Sequence, residues 1–245
     1  MKNNLLITMS GGTTNVINAT LAGIIQKAQT SGWIGRIYAG CPGIRGALEG
    51  SVLDLTDLDG PQLERLYWTA ASGYVGTTRI RPLEEEQILC LGEMFDAWRI
   101  GYFINIGGNG TIKQSMAVAE VLGSRIRIAS VAKTVDNDLG DELFDDVLYT
   151  PGYPSCANYW RNKVWMMNQE NLGACEHDKA IIAQTFGRKT GFLAGCGRLA
   201  DPDRRLPLLI LCPEDQQPVE KVIGAIDNTV SRFGRAMVVM SEGYE

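Results

Sequence analysis

The chain has 245 residues, 45% of them hydrophobic, and a formal net charge of −5. That is enough to bury a core in one large domain or two small ones, and the acidic balance gives no general pull toward nucleic acid or anionic membranes. No run of about 18 apolar residues occurs, so no membrane span is expected, and any bound phosphate needs a local site.

The opening "MKNNLLITMSGG" has too short an apolar stretch for a signal peptide and predicts a first strand that ends in glycines. "NVINATLAGIIQKAQTSG" follows as a helix with a glycine stop, and "IGRIYAG" as the next strand. "LEEEQILCLGEMFDAWRI" sets Ile88, Leu91, Phe95 and Trp98 on one helical face. "GYFINIGG" reads as a strand, "TIKQSMAVAEVLG" as a helix and "RIRIASVA" as another strand. Later "KAIIAQTFG", "LPLLILCPE" and "RAMVVMSEG" read as strands, with a helix stripe of Val219, Val222, Ile223, Ile226, Val230 and Phe233 before the last. Continuous apolar strands separated by amphipathic helices imply an α/β fold with parallel sheets covered by helices on both faces.

The six cysteines, Cys41, Cys90, Cys156, Cys175, Cys196 and Cys212, are scattered without a CxxC pair, as expected of reduced thiols in a cytoplasmic protein. The single histidine, His177, cannot supply a multi-histidine metal site and reads as a solvated loop side chain.

Ligands of open α/β sheets bind at the carboxyl ends of the strands. Five strands end here in polar or glycine-rich segments: "SGGTTN" (10–15), "GGNGT" (107–111), "KTVDND" (133–138), "FGRKTG" (186–191) and "SEG" (241–243). The first two are glycine turns opening helices, where backbone N–H groups and the helix terminus favour an anion. Each alone reads first as a tight strand-to-helix turn, and neither is a dinucleotide or P-loop fingerprint. Arg188 suits a bidentate phosphate clamp or an exposed loop cation, and Arg79 and Arg81 carry the same two readings. Asp136 and Asp138 suit a metal or a proton acceptor, or else a simple Asp-Asn-Asp turn. Together the five ends imply a crevice with convergent groups.

In this order and spacing the segments resemble the phosphofructokinase family, whose members phosphorylate fructose 6-phosphate at its 1-hydroxyl. "MSGGTTNVINATLAG" looks like the family's first glycine turn, "YVGTTR" like its Gly-Thr/Ser-Ser-Arg segment, and "GGNGT" stands where the family has GGDG or GGDD. "KTVDND" matches (G/K)TIDND, the most specific of the set. "TPGYPSCAN" and "FGRKTGFLAG" resemble the T-x-G-F-x-T-A and MGRxxGxLA segments, and "LCPE" and "SEG" the two that follow. The resemblance implies two Rossmann-like domains with the active site in the cleft between them. It divides the chain into a phosphoryl-donor domain at 1–139 and a sugar-phosphate domain at 140–245. It further implies that the chain stops before the family's closing segment, as a truncated product with an incomplete second part.

The resemblance also implies roles. Asp136 matches the general base that takes the proton of the sugar hydroxyl, with Thr134, Val135 and Asp138 around it. Gly12, Gly107, Gly108, Gly110 and Thr111 match the cradle of the phosphoryl donor, with Arg79 alongside. Phe186, Gly187 and Arg188 match sugar-phosphate contacts, Glu242 a sugar-hydroxyl contact, and Lys179 a basic residue that reaches a neighbouring subunit's substrate. Mg²⁺ is the implied cofactor, with Asn109 and Asp138 at its ligand positions. Fructose 6-phosphate, pyrophosphate or ATP, and further copies of the chain in a dimer or tetramer are the implied partners, without nucleic acid or membrane.

Two positions speak to the donor. Lys133 resembles pyrophosphate users, because a long cation excludes ATP and ligates pyrophosphate. Gly110 resembles ATP users, where pyrophosphate users carry Asp. Lys133 weighs more, so pyrophosphate is the expected donor and ATP the alternative. Asn109 departs from the family's aspartate, and an amide is a weaker Mg²⁺ ligand than a carboxylate. A catalytically weak sugar-phosphate-binding or regulatory homologue is the third reading. Lipid and NAD kinases use a GGDGT-like turn but lack TIDND.

Overall fold

The computed structural model describes residues 2–69, 74–139 and 149–245. The chain divides into two compact units after Lys133. The "KTVDND" segment is therefore split, with Lys133 in the first unit and Thr134 to Asp138 in the second. The division expected after residue 139 lies at the edge of the described residues, since 140 falls outside them.

The first unit runs β1 (Asn3–Met9), α1 (Asn15–Gln29), β2 (Ile34–Gly40), α2 (Gly43–Leu48), β3 (Val52–Asp54), α3 (Gly60–Trp68), α4 (Glu85–Ala97), β4 (Ile100–Gly107), α5 (Asn109–Leu122) and β5 (Arg127–Ala132). Its sheet has the order β3-β2-β1-β4-β5, with β1 central. Side chains alternate across a strand, so a strand covered on both faces must be apolar throughout. β1 meets this condition. Leu5, Ile7 and Met9 pack with Ile17, Leu21 and Ile25 of α1 and Leu66 of α3. Leu6, on the opposite face, packs with Phe103 of β4, Ile88, Leu91 and Phe95 of α4 and Val118 of α5. Each such buried side chain contributes about 1.5–3 kcal/mol by leaving water.

One strand departs from the expected parallel pattern. β3 pairs antiparallel with β2 at the sheet edge. It has three residues, too few to show a period, and Arg36 of β2 donates to Asp54 of β3. The next helix, α3, is stopped from fraying by a reciprocal cap. The Asp59 carboxylate accepts from the Gln62 N–H at 2.8 Å, and the Gln62 side chain accepts from the Asp59 N–H at 2.9 Å.

The second unit runs α6 (Tyr153–Ala174), β6 (Ala180–Thr185), α7 (Phe192–Gly195), β7 (Leu208–Leu211), α8 (Val219–Phe233) and β8 (Ala236–Ser241). Its sheet is parallel in the order β6-β8-β7. Val164 of α6, Ala194 of α7, Leu208 of β7 and Met237 and Val239 of β8 form its core. The 22-residue α6 has no clean apolar stripe, because its buried face is Ala157, Val164, Asn168 and Asn171. The two asparagines have a specific task. Arg235, buried at the start of β8, donates to the Asn168 amide oxygen at 2.8 Å and to that of Asn171 at 3.1 Å. A guanidinium taken out of water needs such acceptors. Among the described residues no helix is long and apolar enough to cross a membrane.

Candidate active site

In the first unit three loops meet at the carboxyl ends of β1, β4 and β5. The turn after β1 is tied to the "YVGTTR" segment: the Gly11 N–H donates to the Thr78 carbonyl at 3.0 Å, and Thr77 Oγ1 donates to the Gly11 carbonyl at 2.8 Å. This sets Arg79, exposed, beside Gly12. A Cβ added at Gly12 would lie 3.4 Å from an Arg79 guanidinium nitrogen. The second turn begins at Gly107, the last residue of β4. A side chain there would run into Thr111, so glycine is required. Gly108 is the N-cap of α5, Asn109 and Gly110 open its first turn, and Thr111 is buried in that turn. Nothing lies within 4 Å of a Cβ built on Gly110, so that position is open. No acidic residue stands in the first turn of α5 and its N-cap residue makes no side-chain capping bond, so the positive end of the helix dipole is left favourable to an anion.

A buried polar chain holds this turn from behind. Thr8 Oγ1 donates to Asn105 at 2.9 Å, the Asn105 amide donates to Gln114 and Ser115 at 3.3 Å each, and Ser115 Oγ donates to the Thr111 carbonyl at 3.0 Å. Lys133 joins the two turns. Its N–H donates to the Gly107 carbonyl at 2.8 Å, and its Nζ donates to the Gly12 carbonyl at 2.7 Å. The side chain is 4% exposed, and a Cβ at Gly11 would sit 3.4 Å from its ammonium. Gly12, Arg79, Gly107, Gly108, Gly110, Thr111 and Lys133 are therefore gathered within one unit, as two glycine turns tied together by a buried lysine.

In the second unit "TVDND" forms a compact turn. The Asp136 N–H donates to Thr134 Oγ1 at 3.2 Å, and Thr134 Oγ1 donates to Asp138 at 3.3 Å. Asn137 takes a positive φ of 59°, which asparagine tolerates better than most residues, and its side chain accepts from the Thr150 N–H at 2.8 Å. Thr150 Oγ1 donates back to the Thr134 carbonyl at 2.7 Å. Val135, between them, is half-buried.

The "FGRKTG" loop is brought to this turn by Thr190, whose Oγ1 donates to the Asp136 carbonyl at 2.9 Å. It is also folded onto "SEG". The Gly243 N–H donates to the Gly187 carbonyl at 3.2 Å, the Gly187 N–H donates to the Glu242 carboxylate at 3.4 Å, and Ser241 Oγ bonds the Gly187 carbonyl. Gly187 has φ +117°, and a side chain there or at Gly243 would strike backbone. Phe186, Arg188 and Glu242 are left exposed on the rim. Glu214, unassigned by sequence reasoning, accepts from the Gly191 N–H at 2.8 Å and closes the loop from below.

Lys179 is not brought to this group. It precedes β6, at the end opposite Phe186, where its carbonyl accepts from the Ala236 N–H at 2.8 Å. A six-residue strand separates the two by roughly 20 Å. Of the metal candidates, Asn109 belongs to the first unit and Asp138 to the second. Among the described residues no three His, Cys, Asp or Glu gather as a metal site. Mg²⁺ in phosphoryl-transfer sites keeps most of its waters and takes one or two carboxylates with substrate phosphates. The Asp138 carboxylate fits that pattern, and the Asn109 amide is a weaker oxygen donor.

Beside the Asp136 turn lies a thiol cluster. Burial, with Cys196 and Asp136 nearby, pushes the Cys156 thiol up to about 11. Tyr153 approaches Cys196 at 3.3 Å between oxygen and sulfur, and its hydroxyl is pushed well above its ordinary range by burial and that contact. All six cysteines are free.

The phosphofructokinase family model matches residues 4–245. The chain is similar to the pyrophosphate–fructose 6-phosphate 1-phosphotransferase of Methylococcus capsulatus, at 34% identity over 98% of this chain and 58% of that protein. It is similar in structure to a pyrophosphate-dependent phosphofructokinase from Nitrosospira multiformis, with a TM-score of 0.86 and 34% identity over 100% of this chain and 61% of that one. An ATP-dependent 6-phosphofructokinase from Aquifex aeolicus matches at 27% identity over 97% of this chain and 68% of that protein. The chain thus spans about three fifths of the length of the pyrophosphate-dependent relatives it matches. With the glycine cradle, the Asp136 turn and the folded "FGRKTG" loop on the same strand ends as the motifs, and a family model spanning nearly every residue, the chain belongs to the phosphofructokinase family.

Proposed function

We propose that this chain carries the donor- and sugar-handling groups of a 6-phosphofructokinase that uses pyrophosphate. The observation that carries the donor choice is Lys133, whose buried ammonium reaches the Gly12 carbonyl in the first glycine turn while its backbone N–H holds the second. A fixed cation there favours a compact, highly charged donor and occupies space a nucleotide would need. Residues up to Lys133 form the donor half, and those from Thr134 the sugar-phosphate half.

In this reading Asp136 accepts the proton of the fructose 6-phosphate 1-hydroxyl as that oxygen attacks a pyrophosphate phosphorus. The bridging P–O bond breaks and inorganic phosphate leaves. Lys133, Arg79 and the N–H groups opening α5 hold the donor's oxygens, so catalysis is positioning and charge stabilisation. Thr134 and Thr190 fix the Asp136 turn, and Phe186, Gly187, Arg188 and Glu242 receive the sugar phosphate. Mg²⁺ would be held by the Asp138 carboxylate together with phosphate oxygens of the substrates, and would supply neutralisation of phosphate charge. A cytoplasmic location, a homo-oligomer (dimer or tetramer) in which Lys179 serves a neighbouring copy, and no nucleic-acid or membrane partner complete the proposal.

The test is turnover with fructose 6-phosphate, comparing pyrophosphate and ATP side by side. A higher rate with ATP moves the assignment to the ATP-dependent type. One observation favours a second reading: Asn109 where the family has aspartate. A protein that binds fructose 6-phosphate in a calorimeter but turns over neither donor would be a sugar-phosphate-binding homologue.

A further inference from the structure

The sheet face beneath α5 changes character as it nears the second glycine turn. β1 presents Leu6 and then Thr8 to this face, and β4 presents Phe103 and then Asn105. Thr8 and Asn105 stand side by side in the parallel register, and both are fully buried. The helix above repeats the change. Its inward side chains are Thr111, Gln114, Ser115, Val118 and Leu122, polar in the first two turns and apolar beyond. The polar half of this packed layer is the half next to Gly107–Thr111.

Apolar residues of like volume would fill the same space, and buried polar groups are costly wherever a partner is missing. Here the polar groups form one directional chain. Asn105 Oδ1 accepts from Thr8 Oγ1 at 2.9 Å, and the two amide N–H groups reach Gln114 Oε1 and Ser115 Oγ at 3.3 Å each. The Ser115 hydroxyl donates in turn to the Thr111 carbonyl at 3.0 Å. The chain thus runs from the central strand, through Asn105, to a carbonyl in the opening turn of α5. Apolar contact is non-directional and lets a helix roll or slide slightly on a sheet. A hydrogen bond weakens steeply when its angle is lost, so this chain fixes the roll of α5 about its own axis. The N-cap, Gly108, has no side chain to fix the turn from outside.

We infer that Asn105 is a positioning residue for the phosphoryl-donor turn: through Ser115 it sets where the N–H groups opening α5 point. It acts from beneath the turn and touches neither donor nor sugar. The inference rests on the reading of that turn as the donor site, made under Proposed function.

The decisive variant replaces the chain as a unit with apolar residues of similar volume: Thr8→Val, Asn105→Leu, Gln114→Met and Ser115→Ala together. No partner within the chain is then left buried and unpaired, so the melting temperature should equal or exceed that of the wild type. Calorimetric titration should show the pyrophosphate Kd raised by about tenfold or more, the equivalent of one misdirected hydrogen bond to a charged group. The fructose 6-phosphate Kd should be unchanged. Amide hydrogen exchange over residues 109–115 should quicken relative to the rest of α5. Should that variant fail to fold, Thr8→Val alone removes one hydroxyl at constant shape and should shift the pyrophosphate Kd in the same direction. Thr8→Ser, which keeps the hydroxyl, should restore it. The inference is overturned if the two Kd values rise together, if stability falls while pyrophosphate affinity holds, or if Thr8→Ser is as damaging as Thr8→Val. A wild-type chain that binds neither pyrophosphate nor ATP would instead refute the donor reading. Exchange then decides the positioning role by itself, and unchanged rates over 109–115 would overturn it.

Discussion

Replacing Lys133 by glycine removes a buried ammonium and the stem that carries it, while the backbone N–H that donates to Gly107 at 2.8 Å remains. Two effects follow and can be separated. A hydrogen bond from a charged group to a donor phosphate contributes about 1.5–3 kcal/mol. At about 1.36 kcal/mol per tenfold, its loss should lower kcat/KM for pyrophosphate by roughly 10- to 150-fold. The space beside Gly11, where an added Cβ would lie 3.4 Å from the ammonium, opens as well. A larger donor then has room, and the ratio of ATP to pyrophosphate use should rise. Lys133→Met isolates the charge: it keeps the bulk, so it should lose pyrophosphate affinity without gaining ATP. The assays are kcat/KM with each donor and calorimetric titration with pyrophosphate alone. A Lys133→Gly protein with an unchanged donor ratio and unchanged pyrophosphate affinity would refute the idea that this cation reads the donor.

Asp136→Asn should leave fructose 6-phosphate binding nearly intact and lower turnover by about 10²–10⁴, the usual cost of losing a general base; retention of more than about a tenth of the rate would exclude that role. Asn109→Asp adds a carboxylate to the acid-free first turn of α5. It should raise thermal stability through the helix dipole by about 0.3–1 kcal/mol and lower the Mg²⁺ concentration for half-maximal rate, both read by titration. Gly187→Ala places a side chain at φ +117° against the Thr190 backbone, so fructose 6-phosphate affinity should fall while pyrophosphate affinity holds. Cys156, pushed up to about 11, is ionised to about one part in a thousand at pH 8, so iodoacetamide should label it far more slowly than an unperturbed thiol. Because its proton is held more tightly in the fold than in the unfolded chain, its share of stability is complete below the ordinary thiol range. That share is lost as pH rises toward about 11, so Cys156→Ala should flatten the alkaline side of the melting profile.

The strands and their glycine exits were readable because burial on both faces leaves unbroken apolar runs, as in β1, and because a turn such as Gly107–Thr111 admits no side chain at its first position. The Asp136 turn was readable as a polar turn at a strand end, and its mechanics were not. Thr190 is 54 residues from Asp136 in sequence, and a hydroxyl-to-carbonyl bond at that separation leaves no local pattern. Asn137 carried a signal that was passed over, since an asparagine between two aspartates marks a left-handed position. The long α6 was missed because half of its inward face is asparagine, placed there for Arg235 rather than for a period of apolar residues. The short edge strand β3 is fixed by Arg36 and Thr56 meeting Asp54, contacts that composition does not announce.

The joint between α6 and β8 has a consequence for the conditions under which the second unit keeps its shape. Arg235 is held by two amide dipoles instead of a carboxylate. An amide does not titrate, and a guanidinium keeps its charge at every pH a protein survives. Acid therefore cannot discharge this fastening as it would an ion pair, and added salt has no exposed counter-charge to screen. The orientation of α6, and with it every side chain the helix presents, is fixed by a contact insensitive to the two variables cells alter most readily, protons and ions.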